Sequence, residues 1–273
     1  MELRILGSFG GDAPGCRMTS FLVDGCLAID AGALTRSLSI EEQSRVHHIL
    51  LTHSHIDHTA SLPFLIENSF SNGERAVDIY CTHKVLVNVR RHLFNNDTWP
   101  DFSRIPNHLY PSVRFTEIEP EKPFVIEDLP GGSVEITPIP VRHIVPTVGF
   151  LVRRGGASFL FTSDTGPTER VWEVANAEKN LPMLITECSF PSELQQIADV
   201  SLHLTPTTLA SELAKVDPSI PIYLYHFKPA YVDRLRAELA GMSFHHRIEE
   251  LVQGAIYTVR DDGEVTRWDP VAT

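Results

Sequence analysis

The stretch LLTHSHIDHTASLPF, residues 50–64, sets His53, His55, Asp57 and His58 directly behind an apolar run. VHHILLT reads as a short strand, and TASLPFLIENSF after it has helical spacing, with Pro63 early enough to sit in the first turn. In an extended segment side chains alternate with period two, so His53 and His55 point the same way and can reach one metal ion. Asp57 and His58 fall where the chain turns into the helix, and can face a neighbouring site. Imidazole nitrogen and carboxylate oxygen are the ligand set of catalytic zinc, and a pair of ions suits hydrolysis of phosphate esters. A single histidine at a strand end is ordinarily just hydrogen-bonded or solvated; the unit H-x-H-x-D-H is far more specific.

Outward from this stretch, strand-like runs occur in both halves of the chain. LRILGSFGG, MTSFLVDG, CLAIDAG and VDIYCT lie in the first half; VEITPIPV, FLVRR, ASFLFTS, MLITECS and IPIYLYH lie in the second. HKVLVNVRRHLF and the segments around 169–177, 206–215 and 230–239 have helical patterns, and NNDTWPDFSRIP reads as an irregular loop. The remaining candidate groups come at strand ends too. His143 follows ITPIPVR, Asp164 follows FLFTS, Glu187 ends LITE and His226 ends IPIYLY. The pattern of elements alone also suits a doubly wound sheet. Reactive residues at so many strand ends favour an α/β protein built as two packed sheets with helices on the outer faces, whose rim gathers those ends in one cleft.

Composition narrows the function. A chain of 273 residues can bury a full core, and with no repeat or linker it reads as one domain over residues 1–273. No apolar stretch reaches membrane-spanning length, and MELRILGSFGG lacks the basic and long apolar regions of a signal peptide, so a cytoplasmic protein without a membrane partner is expected. A formal charge of −12 offers no footprint for a long nucleic acid, whereas a small anion can still be held by local charge or metal. Cys16, Cys26, Cys81 and Cys188 are widely spaced with no C-x-x-C pair and read as packed free thiols.

THSHIDH, together with Asp30 in LAIDAG, His143, Asp164 in TSDTG and His226, resembles the metallo-β-lactamase superfamily of binuclear metal hydrolases, from LRILGSFGG to IYLYHFKP. The resemblance implies a four-layer αββα sandwich. It implies two divalent ions, Zn²⁺ with Mn²⁺ or Fe²⁺ as substitutes, one held by His53, His55 and His143, the other by Asp57, His58 and His226, with Asp164 bridging. Asp30 would support the ligand loop rather than bind metal.

SFLVDG, HIDHTASLPFLIENSF, LFNNDTWPDFSRIP, VRHIVPTVGF, ITECSFP and SLHLTPTTLASEL look like class II cyclic-nucleotide phosphodiesterases, which open 3′,5′-cyclic nucleotides such as cyclic AMP and cyclic GMP to 5′-nucleotides. Ser61 stands where these proteins tend to carry Gly. Glu187 and His203 resemble a pair in the tRNA 3′-processing endonucleases, where a glutamate orients a histidine near the scissile phosphate; with Asp57 they make the implied catalytic set. That likeness favours phosphodiester chemistry and supplies an alternative function, an endoribonuclease, although no insertion rich in Gly, Lys and Arg is present to hold a polyanion. A third reading is a protein that holds metal and nucleotide without cleavage. Degenerate ligands would mark it, and every ligand position is filled. Relatives suggest a homodimer.

The loop carrying Asn96, Trp99 and Phe102 is a candidate wall for the substrate, though loop aromatics pack onto the protein body more often than they stack on a base. His47, His48, His83, His92, His108, His245 and His246 read as structural or solvated. His47 and His48 precede the strand and belong at its opposite end.

Overall fold

Most strands of this chain are apolar on both faces, because each sheet is covered on both sides. The computed structural model describes residues 1–70 and 75–270. Its strands are β1 (Glu2–Gly7), β2 (Ser20–Val23), β3 (Leu27–Ile29), β4 (His48–Leu50), β5 (Val77–Cys81), β6 (Pro106–Asn107), β7 (Tyr110–Pro111), β8 (Val113–Glu117) and β9 (Phe124–Ile126) in the first half. The second half adds β10 (Val134–Val141), β11 (Thr147–Arg154), β12 (Ala157–Phe161), β13 (Leu184–Glu187), β14 (Ile222–Tyr225), β15 (Ile248–Glu250), β16 (Ile256–Val259) and β17 (Val265–Trp268). One sheet has the order β17-β16-β1-β2-β3-β4-β5-β8, the other β15-β14-β13-β12-β11-β10-β9, and β6 and β7 pair apart from both.

Alternation along the strands feeds three cores. Leu3, Ile5, Phe21, Val23, Phe159, Phe161, Tyr223 and Tyr225 share the cluster between the sheets. The intervening residues face outward: Leu22 and Ala28 meet Leu62, Leu65 and Val85, while Leu160, Ile222 and Leu224 meet Trp172, Leu209 and Leu235. Those covering side chains belong to helices. α1 (Leu34–Ser37), α2 (Ile40–Gln43), α3 (Ile56–Thr59), α4 (Leu62–Phe70) and α5 (His83–His92) come in the first half, and α6 (Arg170–Ala177), α7 (Gln195–Ser201), α8 (Pro206–Leu213) and α9 (Val232–Ala240) in the second. The result is the αββα sandwich. The edge strands β8, β15 and β17 escape recognition in the sequence because nearly all of their residues are half-exposed or exposed and they lack a continuous apolar run.

Topology then fixes where the strands end. β3 and β4 run parallel, as do β12, β13 and β14, and two antiparallel steps through β11 give β10 the direction of β12. The residues after β3, β4, β10, β12, β13 and β14 therefore emerge along one rim. Among the described residues no helix is long and apolar enough to cross a membrane.

Candidate metal centre

The rim residues come together in overlapping groups, two of which hold the expected ligand sets, while two more bring His203 to His143 and Asp164 and to Glu187 and His226. One nitrogen each from His53, His55 and His143 lies within 4.8 Å of the others, and Asp57, His58, Asp164 and His226 form a second set on the same criterion. Asp164 touches both: its Oδ2 is 3.8 Å from His53 Nε2, 3.4 Å from His58 Nε2 and 3.1 Å from His226 Nε2. Its other oxygen accepts from the Tyr225 hydroxyl at 3.1 Å.

Backbone form helps aim these groups. Asp30, Ser163 and His226 all have left-handed φ, at 57°, 61° and 68°. Non-glycine residues in this region cost about 1–2 kcal/mol each and persist where the surroundings hold them. Close approach does the rest at two glycines. A Cβ on Gly10 would lie 2.6 Å from the His226 ring, and one on Gly32 would lie 2.1 Å from the Asp57 carbonyl.

Each buried histidine is held through Nδ1. Asp30, fully buried, accepts from His58 Nδ1 at 2.7 Å and from the Thr52 hydroxyl at 2.8 Å, and that hydroxyl in turn accepts from His53 Nδ1 at 2.9 Å. Ser189 does the same for His226: its hydroxyl donates to Glu187 Oε2 and accepts from His226 Nδ1 at 2.9 Å. His143 Nδ1 donates to the Leu202 carbonyl at 3.0 Å. These bonds fix the tautomers, leaving the opposite nitrogens as lone pairs.

The test of fit for a divalent cation is what those lone pairs meet. The Nε2 atoms of His53, His58 and His226 are buried with no hydrogen-bond partner, a costly arrangement unless a cation occupies the space between them and Asp164. Burial, reinforced by neighbouring imidazoles, pushes His53 well below its ordinary range and His55 down to about 4, so both are neutral and able to ligate. Burial opposes the ionisation of Asp57, yet its contacts with His226 and His58 hold it well below the carboxylate range. Burial opposes a charge on His58, yet Asp164 and Asp30 hold it well above its ordinary range, so this ring would give up a proton on taking a cation; imidazoles beside ionised carboxylates are the donor set for a metal pair.

Glu187 and His203 stand beside this cluster. Glu187 Oε1 accepts from His203 Nδ1 at 2.7 Å, and the His203 ring lies 4.9 Å from that of His143 and 5.3 Å from that of His226. Burial alone would lower the His203 pKa, but the Glu187 carboxylate raises it above its ordinary value.

Several contributors escaped the sequence reading. Thr52, Ser189 and Tyr225 hold ligating groups, and Lys228 puts its ammonium 3.6 Å from Asp57 Oδ2. Thr52 and Ser189 adjoin or nearly adjoin residues that were singled out, so a search for hydroxyls beside candidate ligands would have found them. Lys228 carries no such signal.

The expected aromatic wall is corrected in part. Phe102 is only 6 % exposed and belongs to the core under the first sheet, so it offers no face to a ligand. Trp99, half-buried, lies edge-on to Phe64 with ring centroids 5.1 Å apart. Asn96 occupies an exposed turn with φ 67°, where its Oδ1 accepts from the Asp101 amide. His48 lies at the start of β4, 3.2 Å from Asp128. Ser61, in the place of a glycine, uses its hydroxyl to donate to the Gly32 carbonyl at 3.0 Å.

This fold and rim define a class, the metal-dependent hydrolases of the metallo-β-lactamase type. Residues 19–227 match the Beta-lactamase superfamily domain, and the chain belongs to that superfamily. It is 22 % identical over 232 residues to a ribonuclease Z of Prochlorococcus marinus subsp. pastoris, covering 71 % of this chain and 74 % of the relative. It is 23 % identical over 202 residues to a 3′,5′-cyclic-nucleotide phosphodiesterase of Schizosaccharomyces pombe, covering 66 % of this chain and 54 % of that one. The crystal structure of unliganded yeast PDE1 shares the fold with a TM-score of 0.73 at 17 % identity, over 93 % of this chain and 98 % of the other.

Proposed function

We propose that this chain is a binuclear metal phosphodiesterase that opens 3′,5′-cyclic nucleotides to 5′-nucleotides. The observation that carries the reading is the Glu187–His203 pair, set against both ligand groups with Nδ1 held by the carboxylate at 2.7 Å. His53, His55 and His143 would hold one divalent ion and Asp57, His58 and His226 a second, with Asp164 available to both; such ions, Zn²⁺ in this reading, would supply an activated water at neutral pH and counter-charge for the phosphate oxygens.

His203 then gives a proton to the 3′ oxygen as its bond to phosphorus breaks, since an alkoxide is a poor leaving group without one. Glu187 keeps the ring turned and its outer nitrogen protonated. Lys228, 3.6 Å from Asp57 Oδ2, adds positive charge on that side of the cluster.

A small substrate is favoured by charge. A chain of formal charge −12 is poorly suited to neutralising many phosphates at once. The ribonuclease Z relatives make tRNA 3′ processing the second reading. Incubating the metal-loaded protein with cyclic AMP, cyclic GMP and a precursor tRNA, with product analysis, separates the two. Release of 5′-nucleotide from a cyclic substrate supports the proposal; cleavage of the precursor alone overturns it, and no cleavage of any substrate points to a binding protein.

A further inference from the structure

A row of rings leads outward from the ligand cluster. The His203 ring lies 4.9 Å from that of His143 and 5.3 Å from that of His226. The Phe190 ring follows, 5.8 Å from His203 at an interplanar angle of 64°, and then Tyr231, 6.0 Å from Phe190 at 52°. Exposure grows along the row: His226 and His203 are buried, whereas Phe190 and Tyr231 are half-buried.

Phe190 has no place in the hydrophobic packing of the fold. It belongs to none of the three cores and packs against none of them, although a phenylalanine ring ordinarily contributes a large area to a core. Its backbone is nonetheless held from both sides. The Phe190 amide donates to the Leu204 carbonyl at 3.3 Å, and the carbonyl of the preceding Ser189 accepts from the Lys228 amide at 3.2 Å. The Lys228 carbonyl in turn accepts from the Tyr231 amide at 2.8 Å. The two aromatic residues are thus tied into one platform, anchored beside Glu187 on one strand end and His226 on the other. The loop of Trp99 and Phe102 does not compete for a ligand here, because Phe102 is buried and Trp99 packs against Phe64.

We propose that Phe190 and Tyr231 form the seat of the nucleobase, stacking on the purine of the substrate whose 3′ oxygen His203 protonates. The proposal rests on reading the site as a cyclic-nucleotide phosphodiesterase. In that reaction His203 touches an oxygen of the ribose, and the base is carried by the same sugar ring, so the rings next to His203 are the ones the base meets. Stacking uses the ring face and is indifferent to the groups on the base edge, so adenine and guanine are held alike.

Calorimetric titration of the Zn²⁺-loaded protein with 5′-AMP, 5′-GMP and ribose 5-phosphate tests this without turnover, since none of the three contains a cyclic phosphate to open. Both nucleotides should bind more tightly than ribose 5-phosphate. Phe190→Leu and Tyr231→Leu keep an apolar side chain and remove the ring face. Each should weaken both nucleotides about three- to tenfold, the worth of an aromatic pair beyond its buried area, and leave ribose 5-phosphate within about twofold. Tyr231→Leu, one ring further from His203, decides if Phe190→Leu also changes ribose 5-phosphate binding. Nucleotides that bind no better than ribose 5-phosphate overturn the proposal, as does an advantage that survives both substitutions; Phe190 would then only shelter the Glu187–His203 pair. Loss of the advantage in a protein that opens no cyclic nucleotide would keep the seat and remove the cyclic substrate. Cyclic AMP turnover with unchanged nucleotide affinity in both variants would keep the phosphodiesterase and remove the seat.

Discussion

Two buried carboxylates, one in each half of the chain, run the same hydrogen-bond scheme to different ends. Asp30 takes one imidazole directly, His58, and a second through a hydroxyl, His53 by way of Thr52. Glu187 takes His203 directly and His226 through Ser189. In the first relay both outer nitrogens are buried, partnerless and face Asp164. In the second only the His226 nitrogen is so placed; the outer nitrogen of His203 is not one of these buried partnerless atoms, and its ring lies beside those of His143 and His226. The chemistry of the relay is the same in both. What separates a ligand holder from a proton donor is whether the outer nitrogen of the imidazole it orients is buried and partnerless against Asp164.

The largest effect expected is on the cluster common to both relays. Removing metal with a chelator should abolish hydrolysis of every phosphodiester and lower the thermal midpoint, because a cation bound only by the folded cluster stabilises it by mass action and the buried Asp57 and Asp164 then keep only the imidazoles and Lys228 as counter-charge. Elemental analysis on the same samples, with recovery on adding Zn²⁺, checks it; full activity without transition metal would sink the mechanism.

Next in size, His203→Ala should slow cyclic AMP hydrolysis by about a hundredfold to ten-thousandfold with metal content unchanged, the range for general acid catalysis. On bis(4-nitrophenyl) phosphate, whose phenolate leaves without a proton, the loss should be much smaller. Equal losses on both substrates would mean that His203 holds the phosphate instead, and the contrast between the relays would lose its chemical meaning.

The carboxylates themselves sharpen the contrast. Asp30→Asn should cost about ten- to a hundredfold in metal affinity, the usual effect of removing a group that orients ligands. Glu187→Gln should cost less metal and more cyclic AMP turnover. Competition with a chromogenic chelator, run beside steady-state rates, distinguishes them, and matching profiles for the two variants would break the comparison.

Smallest of all should be the hydroxyls. Ser189→Ala and Thr52→Val each leave a buried imidazole N–H without its acceptor, a loss of about 1–3 kcal/mol in unfolding free energy measured with denaturant. Similar values for the two are expected, since both hydroxyls are buried and hold one histidine to one carboxylate.

The local part of this protein is written in its sequence. Period-two alternation after an apolar run puts His53 and His55 on one side, and a short run ending in a reactive residue marks each of the inner strands that reach the rim. Such features need only neighbouring residues, so they survive in one dimension. The edge strands were not legible, because half-exposed segments lack that signature. The tertiary structure alone decided what depends on sheet order and register: Asp164 meeting His226 across 62 residues, and Ser189 joining Glu187 to His226. It also decided that Phe102 packs inside while Ile56 stays open beside α5. Apolar character is common to both side chains; which one a helix covers is set by packing between elements distant in the chain, a choice no local pattern encodes.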